Sequence, residues 1–325
     1  MVDQVVVVIP QWNRKELLQH CLRSLQRQTF RSFHTVVVDN ASQDGSPAMV
    51  RSEFPEVELL CLDHNTGFAR AVNHGIRHSG QPYVAVLNND TETDPGWLQA
   101  AVGALDRQPL AGFCASRIMD FCQRDRIDSA GDCISRTGLP YKMGLGETVA
   151  GKWLASRLVF GASAGAALYR RSLLEETGGF DEDFFMYLED VDLSFRAQLL
   201  GYSCIYEPRA VVYHIEAASD PERPPAGDKR GLYTDRRVFW ITRNRLLVLT
   251  QNMPAPILLA NLPWIAYGFC RSLLFHLLKA GFAGAYLRGF LAGLRSVPSA
   301  LRKRRLVQSR RRCKISYLKN LFRQC

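Results

Sequence analysis

The stretch VVVVIPQWNR, Val5 to Arg14, decides the fold. Its valines and isoleucine run together without helical or alternating spacing. A continuous β-branched run of this kind predicts a strand buried on both faces, ended by Pro10. RKELLQHCLRSLQRQ follows with Leu17, Leu18, Cys21, Leu22 and Leu25 on one helical face. HTVVVDNASQDGS reads as a second buried strand ending at Asp39 in a polar turn. NHGIRHS lies in a helical stretch before a third strand, PYVAVLNND. The β-α-β-α-β alternation predicts an α/β sandwich. Ligands of such sheets bind beyond the carboxyl ends of the strands. Three polar clusters fall there: PQWN with Pro10 and Asn13, DNAS with Asp39 and Asn40, and NND, Asn88 to Asp90.

Farther along, residues 106–158 read as loops and short strands that face an acceptor. FGASAGAALYRRSLLEETGGF predicts a small-residue strand and a short helix stopped at Gly178-Gly179. FDEDFFMYLEDVDLSFR, Phe180 to Arg196, packs six carboxylates among aromatic rings. Acids in such company are costly to desolvate unless something uses them. EDVDLSFRAQLLG predicts a helix with acids in its first turn, suited to the helix dipole, and Gly201 as its stop. Val191, Phe195 and Leu199 form its buried face, and Asp192 and Arg196 read as a surface i,i+4 pair. YSCIYEPRAVVYH predicts two short strands around a turn.

Charge divides the 325-residue chain. From Arg236 to Cys325 there are 18 Lys or Arg and no Asp or Glu, whereas the first 235 residues have a net charge of −8. Such asymmetry suits an anionic surface. PILLANLPWIAYGFCRSLLFHLL has spanning length but contains Pro263, Arg271 and His276, so an in-plane or re-entrant segment is expected. Trp264 and Tyr267 suit the interface. The following Arg-rich stretch suits anionic headgroups; the plainer reading is a basic helical subdomain packed on the core. No nucleic-acid recognition module is visible, and no nucleic-acid partner is expected. Nine scattered cysteines without a CxxC pair predict reduced thiols. The first residues do not read as a signal peptide.

Taken in order, VVVVIPQWNR, VVVDNASQDGS, NTGFARAVNHGI, VAVLNNDTETDPGWL, the segment from Gly161 to Tyr202, VVYH and TRNRLLVL resemble the family-2 glycosyltransferases. The likeness is strongest to their rhamnosyltransferase-like branch, which builds bacterial cell-surface polysaccharide. The resemblance covers about residues 5–249. It implies a GT-A α/β/α sandwich over 1–242, with 243–325 as an amphipathic, basic helical extension that associates with membrane. It also implies an inverting enzyme that uses a nucleotide-diphosphate sugar, dTDP-rhamnose as the first expectation, and a lipid-linked or polysaccharide acceptor. The place implied is the cytoplasmic face of the cell membrane.

On that resemblance Asp39 contacts the base or ribose, and Pro10, Asn13, Asn40, Arg70, Asn73, Asn88 and Asn89 are further nucleotide-side residues. Asn40 and Asp44 are equally suited to shaping the turn. NND stands where the family has Asp-x-Asp, with Asn88 replacing the first acid. Asp90 and the late His214 are then the ligands of a divalent metal, Mg2+ or Mn2+. Glu189-Asp190 matches the family's acidic pair, with Asp190 as base and Glu189 as its helper, or the reverse. Asp181 to Asp183 would shape the preceding turn or touch the acceptor, and Phe184, Phe185 and Tyr187 would wall the pocket or pack beneath it. A nucleotidyltransferase is disfavoured because PQWNRKE replaces a Gly-rich loop after the first strand. A nucleotide-binding pseudoenzyme at the membrane is disfavoured by the intact LEDVD and NND.

Overall fold

The computed structural model describes residues 3–215 and 233–324. The first half runs β1 (Val5–Gln11), α1 (Lys15–Gln26), β2 (Phe33–Asp39), α2 (Ser46–Glu53), β3 (Glu58–Cys61), α3 (Phe68–Arg77), β4 (Tyr83–Leu87), β5 (Thr91–Thr93) and α4 (Trp97–Arg107). Next come β6 (Ala111–Asp120), β7 (Ile127–Ser129), β8 (Asp132–Ile134), β9 (Pro140–Lys142), β10 (Arg157–Val159), β11 (Ala166–Arg170) and α5 (Arg171–Thr177). The chain continues through α6 (Glu189–Leu199) and β12 (Ser203–His214), then α7 (Asp235–Asn252), α8 (Ala255–Phe275), α9 (Ala283–Ser309) and α10 (Ile315–Gln324).

The main sheet has the order β10-β12-β6-β11-β4-β1-β2-β3, with β5 on β12 and β7 on β6. β1 pairs in parallel with both β2 and β4, which explains its unbroken valines: Val5, Val7 and Ile9 pack on one face, Val6 and Val8 on the other. Helices α1, α2 and α4 cover the first face; α3, α5 and α6 cover the second. The α/β/α sandwich is therefore as the sequence predicts.

Two expectations are corrected in the sheet. The region 106–158, read as irregular, contains the end of α4 and the ten-residue strand β6, which lies inside the sheet between β11 and β12. AGFCASRIMD lacks a β-branched run, and its strand state comes from pairing on both sides. The two short strands expected from YSCIYEPRAVVYH are one strand, β12. Its register against β6 shifts between Glu207 and Val211, so a bulge carries Pro208 without ending the strand.

The C-terminal helices join the second face. Leu247, Val248, Met253, Ile257, Leu318 and Leu321 belong to the same core as α6. The 242/243 boundary falls inside α7. Helix α9 packs along α7 through Gly289 and Gly293, where an added Cβ would strike Phe239 O and the Leu246 side chain. Lys303 of α9 bonds Asp181 at 2.5 Å and Asp183 at 2.7 Å. Asp181 also accepts from Gln251, so these two acids anchor the C-terminal helices to the loop.

Asp192 and Arg196 are not a surface pair. The Asp192 side chain is 0% exposed, Arg196 meets it at 2.6 Å, and Asn252 donates to its other oxygen at 2.7 Å. Arg196 also bonds the carbonyls of Thr177 and Gly179. The pair therefore ties α6 to both α7 and the turn after α5. Among the described residues seven cysteines are free, while Cys133 is disulfide-bonded, against the expectation of reduced thiols throughout.

Among the described residues one segment, Ala255–Leu278, is long and apolar enough to cross a membrane by length and composition. It is little buried: Leu259 is 67% exposed, and Leu262, Trp264, Tyr267 and Leu274 are also exposed.

Candidate active site

Strand ends build one wall of a cavity of about 870 Å³. Pro10 and Gln11 come from β1, Asn40 follows β2, and Asn88, Asn89 and Asp90 follow β4. Antiparallel pairing of His214 with Thr91 brings the end of β12 beside Asp90. Glu189 and Asp190 open helix α6 on the other side of the same cavity, with Phe185 and Tyr187 on its lining and Phe184 buried below. The expected base, helper and metal ligands therefore share one enclosure.

Asn13, Asp39, Arg70 and Asn73 are not on that lining. Asn13 joins the ends of β1 and β2: its N–H donates to Ser42 and its Oδ1 accepts from Gln43 N–H. Asp39 accepts from Ser42 N–H, and its buried Oδ1 has no partner. Arg70 donates to Glu182, and Asn73 is bonded to both N–H and C=O of Phe180. These two side chains fasten α3 to the acidic loop. Asn40 accepts from Thr66 while donating to Gly67 O, so it shapes the loop and lines the cavity at once.

The base end is electrostatically sorted. Burial pushes Glu189 well above the usual carboxylate range, and the charge of Asp190 adds to that. Asp132, from β8, is raised well above it for the same two reasons. Asp190 is also raised by burial, but it accepts N–H bonds from Ala164 at 3.1 Å and Val191 at 2.8 Å, which favour its ionised form. These two N–H bonds support a negative charge on Asp190.

The loop before these acids is strained. Phe185, Tyr187 and Leu188 have φ of 59°, 65° and 65°, a region bulky residues rarely occupy. Asn244 of α7, fully buried, holds it by donating to the carbonyls of Phe184, Met186 and Tyr187 at 2.8–2.9 Å. Trp240, one turn earlier, stacks on Phe185 at 4.9 Å. At Gly67, φ +86°, a side chain would strike Phe185, so glycine lets the nucleotide-side loop approach this segment.

The metal-ligand expectation can be tested against chemistry. His214 Nε2 and Asp90 Oδ1 are 3.3 Å apart, and both are buried without a hydrogen-bond partner. Asp128 of β7 accepts from His214 Nδ1 at 3.0 Å and from Lys142 at 2.7 Å. Burial lowers the His214 pKa, but Asp90 and Asp128 overcome it and push it up to about 10. The two carboxylates thus favour a positive charge at His214, which a proton on Nε2 or a metal ion between it and Asp90 supplies. Two protein ligands fit a hard divalent ion that takes its remaining oxygens from phosphate and water. No group of three or more His, Cys, Asp or Glu forms a fuller metal site among the described residues.

Asp128, Asp132, Lys142 and Asn244 were not singled out from sequence. The first three lie in the stretch read as irregular. Asn244 lies in TRNRLLVL, whose helical spacing alone gave no hint of a role.

A mixed sheet of this order, with acids beyond its strand ends and a His closing the cavity, defines the GT-A class of nucleotide-diphospho-sugar transferases. Solved structures agree on the fold. A mannosyltransferase from Pyrobaculum calidifontis, in complex with GDP-Man and Mn2+, superposes with a TM-score of 0.55 at 19% identity, covering 92% of this chain and 88% of that one. TarS residues 1–349 of S. aureus give 0.57 at 16%, covering 98% and 92%. In sequence, the N-acetylglucosaminyl-diphospho-decaprenol L-rhamnosyltransferase of Mycobacterium tuberculosis is 30% identical over 272 residues, 74% of this chain and 87% of the relative. The family model described as glycosyl transferase family 2 matches residues 6–178. The chain belongs to glycosyl transferase family 2 and is a glycosyltransferase of its rhamnosyltransferase-like kind.

Proposed function

We propose that this protein is an inverting glycosyltransferase that moves a sugar, rhamnose from dTDP-rhamnose first among candidates, to a hydroxyl of a lipid-linked saccharide. The observation that carries the reading is the placement of ionisable Asp190 in one cavity with Asp90 and His214. Asp190 takes the proton of the acceptor hydroxyl as that oxygen attacks the anomeric carbon. The bond from that carbon to the diphosphate oxygen breaks, and the configuration inverts. Glu189, protonated beside it, donates to a sugar oxygen. A divalent cation held by Asp90 and His214 would offset the charge of the leaving diphosphate. Asn40, Asn88 and Asn89 supply neutral donors and acceptors for the nucleotide and sugar. The unpartnered Oδ1 of Asp39 suits a ribose hydroxyl or base N–H.

The exposed apolar face of α8 and the arginines of α9 suit peripheral attachment to the cytoplasmic face of an anionic membrane. The relative named above acts, by its name, on a decaprenol-linked sugar, which supports a lipid-linked acceptor here.

The test is transfer from a panel of nucleotide-sugars to detergent-dispersed lipid-linked saccharides, with the product anomer read by NMR. dTDP-rhamnose should give an inverted glycoside. Binding of a nucleotide diphosphate without transfer from any donor would overturn the reading.

A further inference from the structure

Several half-buried cations pair with buried acids: Lys142 with Asp128, Arg196 with Asp192, Lys303 with Asp181. Arg245 of α7, on the cavity wall, is more deeply buried than any of them. It is 2% exposed, yet no carboxylate among the described residues lies within ion-pair reach of it. One Nη donates to Thr137 O at 2.5 Å, the guanidinium lies over the Phe269 ring at 3.8 Å, and Nε has no acceptor. Arg271 of α8 lines the same cavity, equally without a carboxylate partner, and its charge adds to that of Arg245. No counter-charge can come from α8, α9 or α10, because the chain has no Asp or Glu after Asp235. A buried guanidinium beside a second one is costly unless an anion completes the site.

We propose that Arg245 and Arg271 bind the phosphate groups that join the acceptor saccharide to its lipid. This rests on the reading of a lipid-linked acceptor and extends it to the linkage. The donor diphosphate has its own place by Asp90 and His214, a carboxylate-containing site that calls for a metal ion. The arginine pair needs no metal, as guanidinium groups bind phosphate oxygens directly. Ser272 and His276 stand on the lining beside Arg271, adding polar groups to the same wall. Phe275 and Tyr233 also line the cavity, and α8 carries its exposed leucines outward from there. A sugar at Asp190, phosphates at the arginines and a chain leaving over α8 form one continuous path.

The experiment compares two acceptors that carry the same sugar and alkyl chain. One is a glycosyl alkyl diphosphate; the other is the phosphate-free alkyl glycoside. Full-length wild type, Arg245→Met and Arg271→Gln are assayed in detergent micelles with the donor identified by the panel. Wild type should prefer the diphosphate acceptor in kcat/KM, by about 100-fold if two charge-assisted contacts are made. Each variant should lose about tenfold of that preference, chiefly through acceptor KM. Arg271 is exposed, so Arg271→Gln decides the matter even if Arg245→Met fails to fold.

Equal use of both acceptors by wild type, or an undiminished preference in Arg271→Gln, overturns the assignment while glycosyl transfer stands. Absence of transfer to either acceptor from every donor overturns the underlying reading instead. If Arg271→Gln weakens binding to phosphatidylglycerol vesicles but keeps the diphosphate preference, the arginines serve bulk headgroups and the proposal fails.

Discussion

His214 Nδ1 lies 3.0 Å from Asp128 Oδ2, joining the last strand of the sheet to a short strand 86 residues earlier. The contact fixes the imidazole so that Nε2 faces Asp90. Carboxylate partners of this kind orient a metal-binding histidine, and their loss typically costs about 10–100-fold in metal affinity. Asp128→Asn should therefore weaken Mn2+ binding by that order, read by the loss of the free-ion EPR signal on titration. Unchanged affinity would remove Asp128 from this role.

Asn244 and the strained loop give a second prediction. Asn244→Ala removes the donor to the Met186 and Tyr187 carbonyls, each at a cost of about 1–3 kcal/mol, while Phe184 O keeps the Met186 N–H. Relaxation of Phe185 to Leu188 would also displace Glu189 and Asp190. A shift near 1 Å can lower turnover by about 100-fold. Denaturant unfolding and kcat should both fall, with donor KM little changed. A variant that keeps wild-type kcat would show that the loop holds itself.

How much of this was legible in the sequence follows from what each feature depends on. The valine runs of β1 and β2 and the Gly178 stop of α5 are local signals, and they reported the sandwich and the strand-end site. β6 depends on partners on both sides, so a segment without a β-branched run concealed it. Asp128 becomes visible only when β7 meets His214, and Lys142 only when β9 brings it to Asp128. The pair Asp192–Arg196 has the spacing of a surface ion pair, and only the packing of α7 over α6 buries it. Arg70 and Asn73 fall in a segment that resembles a nucleotide-binding loop, but their side chains turn to the acidic stretch at 180–182.

The buried pair supplies a stability test. Arg196→Met leaves Asp192 ionisable, buried and held only by Asn252, at a cost of about 3–5 kcal/mol. A loss below 1 kcal/mol in urea unfolding, the range of surface pairs, would contradict the burial.

Membrane attachment is testable without removing helices that the core needs. Leu259→Ser, Leu262→Ser and Trp264→Ser together remove exposed apolar surface from α8. Partitioning onto phosphatidylglycerol vesicles should drop by at least about tenfold, since burying one such side chain contributes about 1.5–3 kcal/mol. Unaltered sedimentation with vesicles would count against α8 as the docking face.

The pH dependence follows from the burial of Asp190. Burial raises Asp190 above its ordinary 3.8, and activity needs it deprotonated. kcat/KM should fall as pH drops through that raised value. Glu189→Gln should move this acid limb little, because Glu189 already holds its proton there. A limb at or below pH 3.8 would contradict the burial of the base.

The role of Asp190 is the central claim, and Asp190→Asn tests it most directly. The variant keeps the shape but only one of the two N–H bonds, since its NH2 cannot accept, and it cannot take the acceptor's proton. Transfer should fall by about 100–10,000-fold, the usual worth of a general base. Nucleotide-diphosphate affinity, measured by calorimetry on the same preparation, should stay at the wild-type value. Wild-type turnover in Asp190→Asn would contradict the account and return the base to Glu189 or elsewhere.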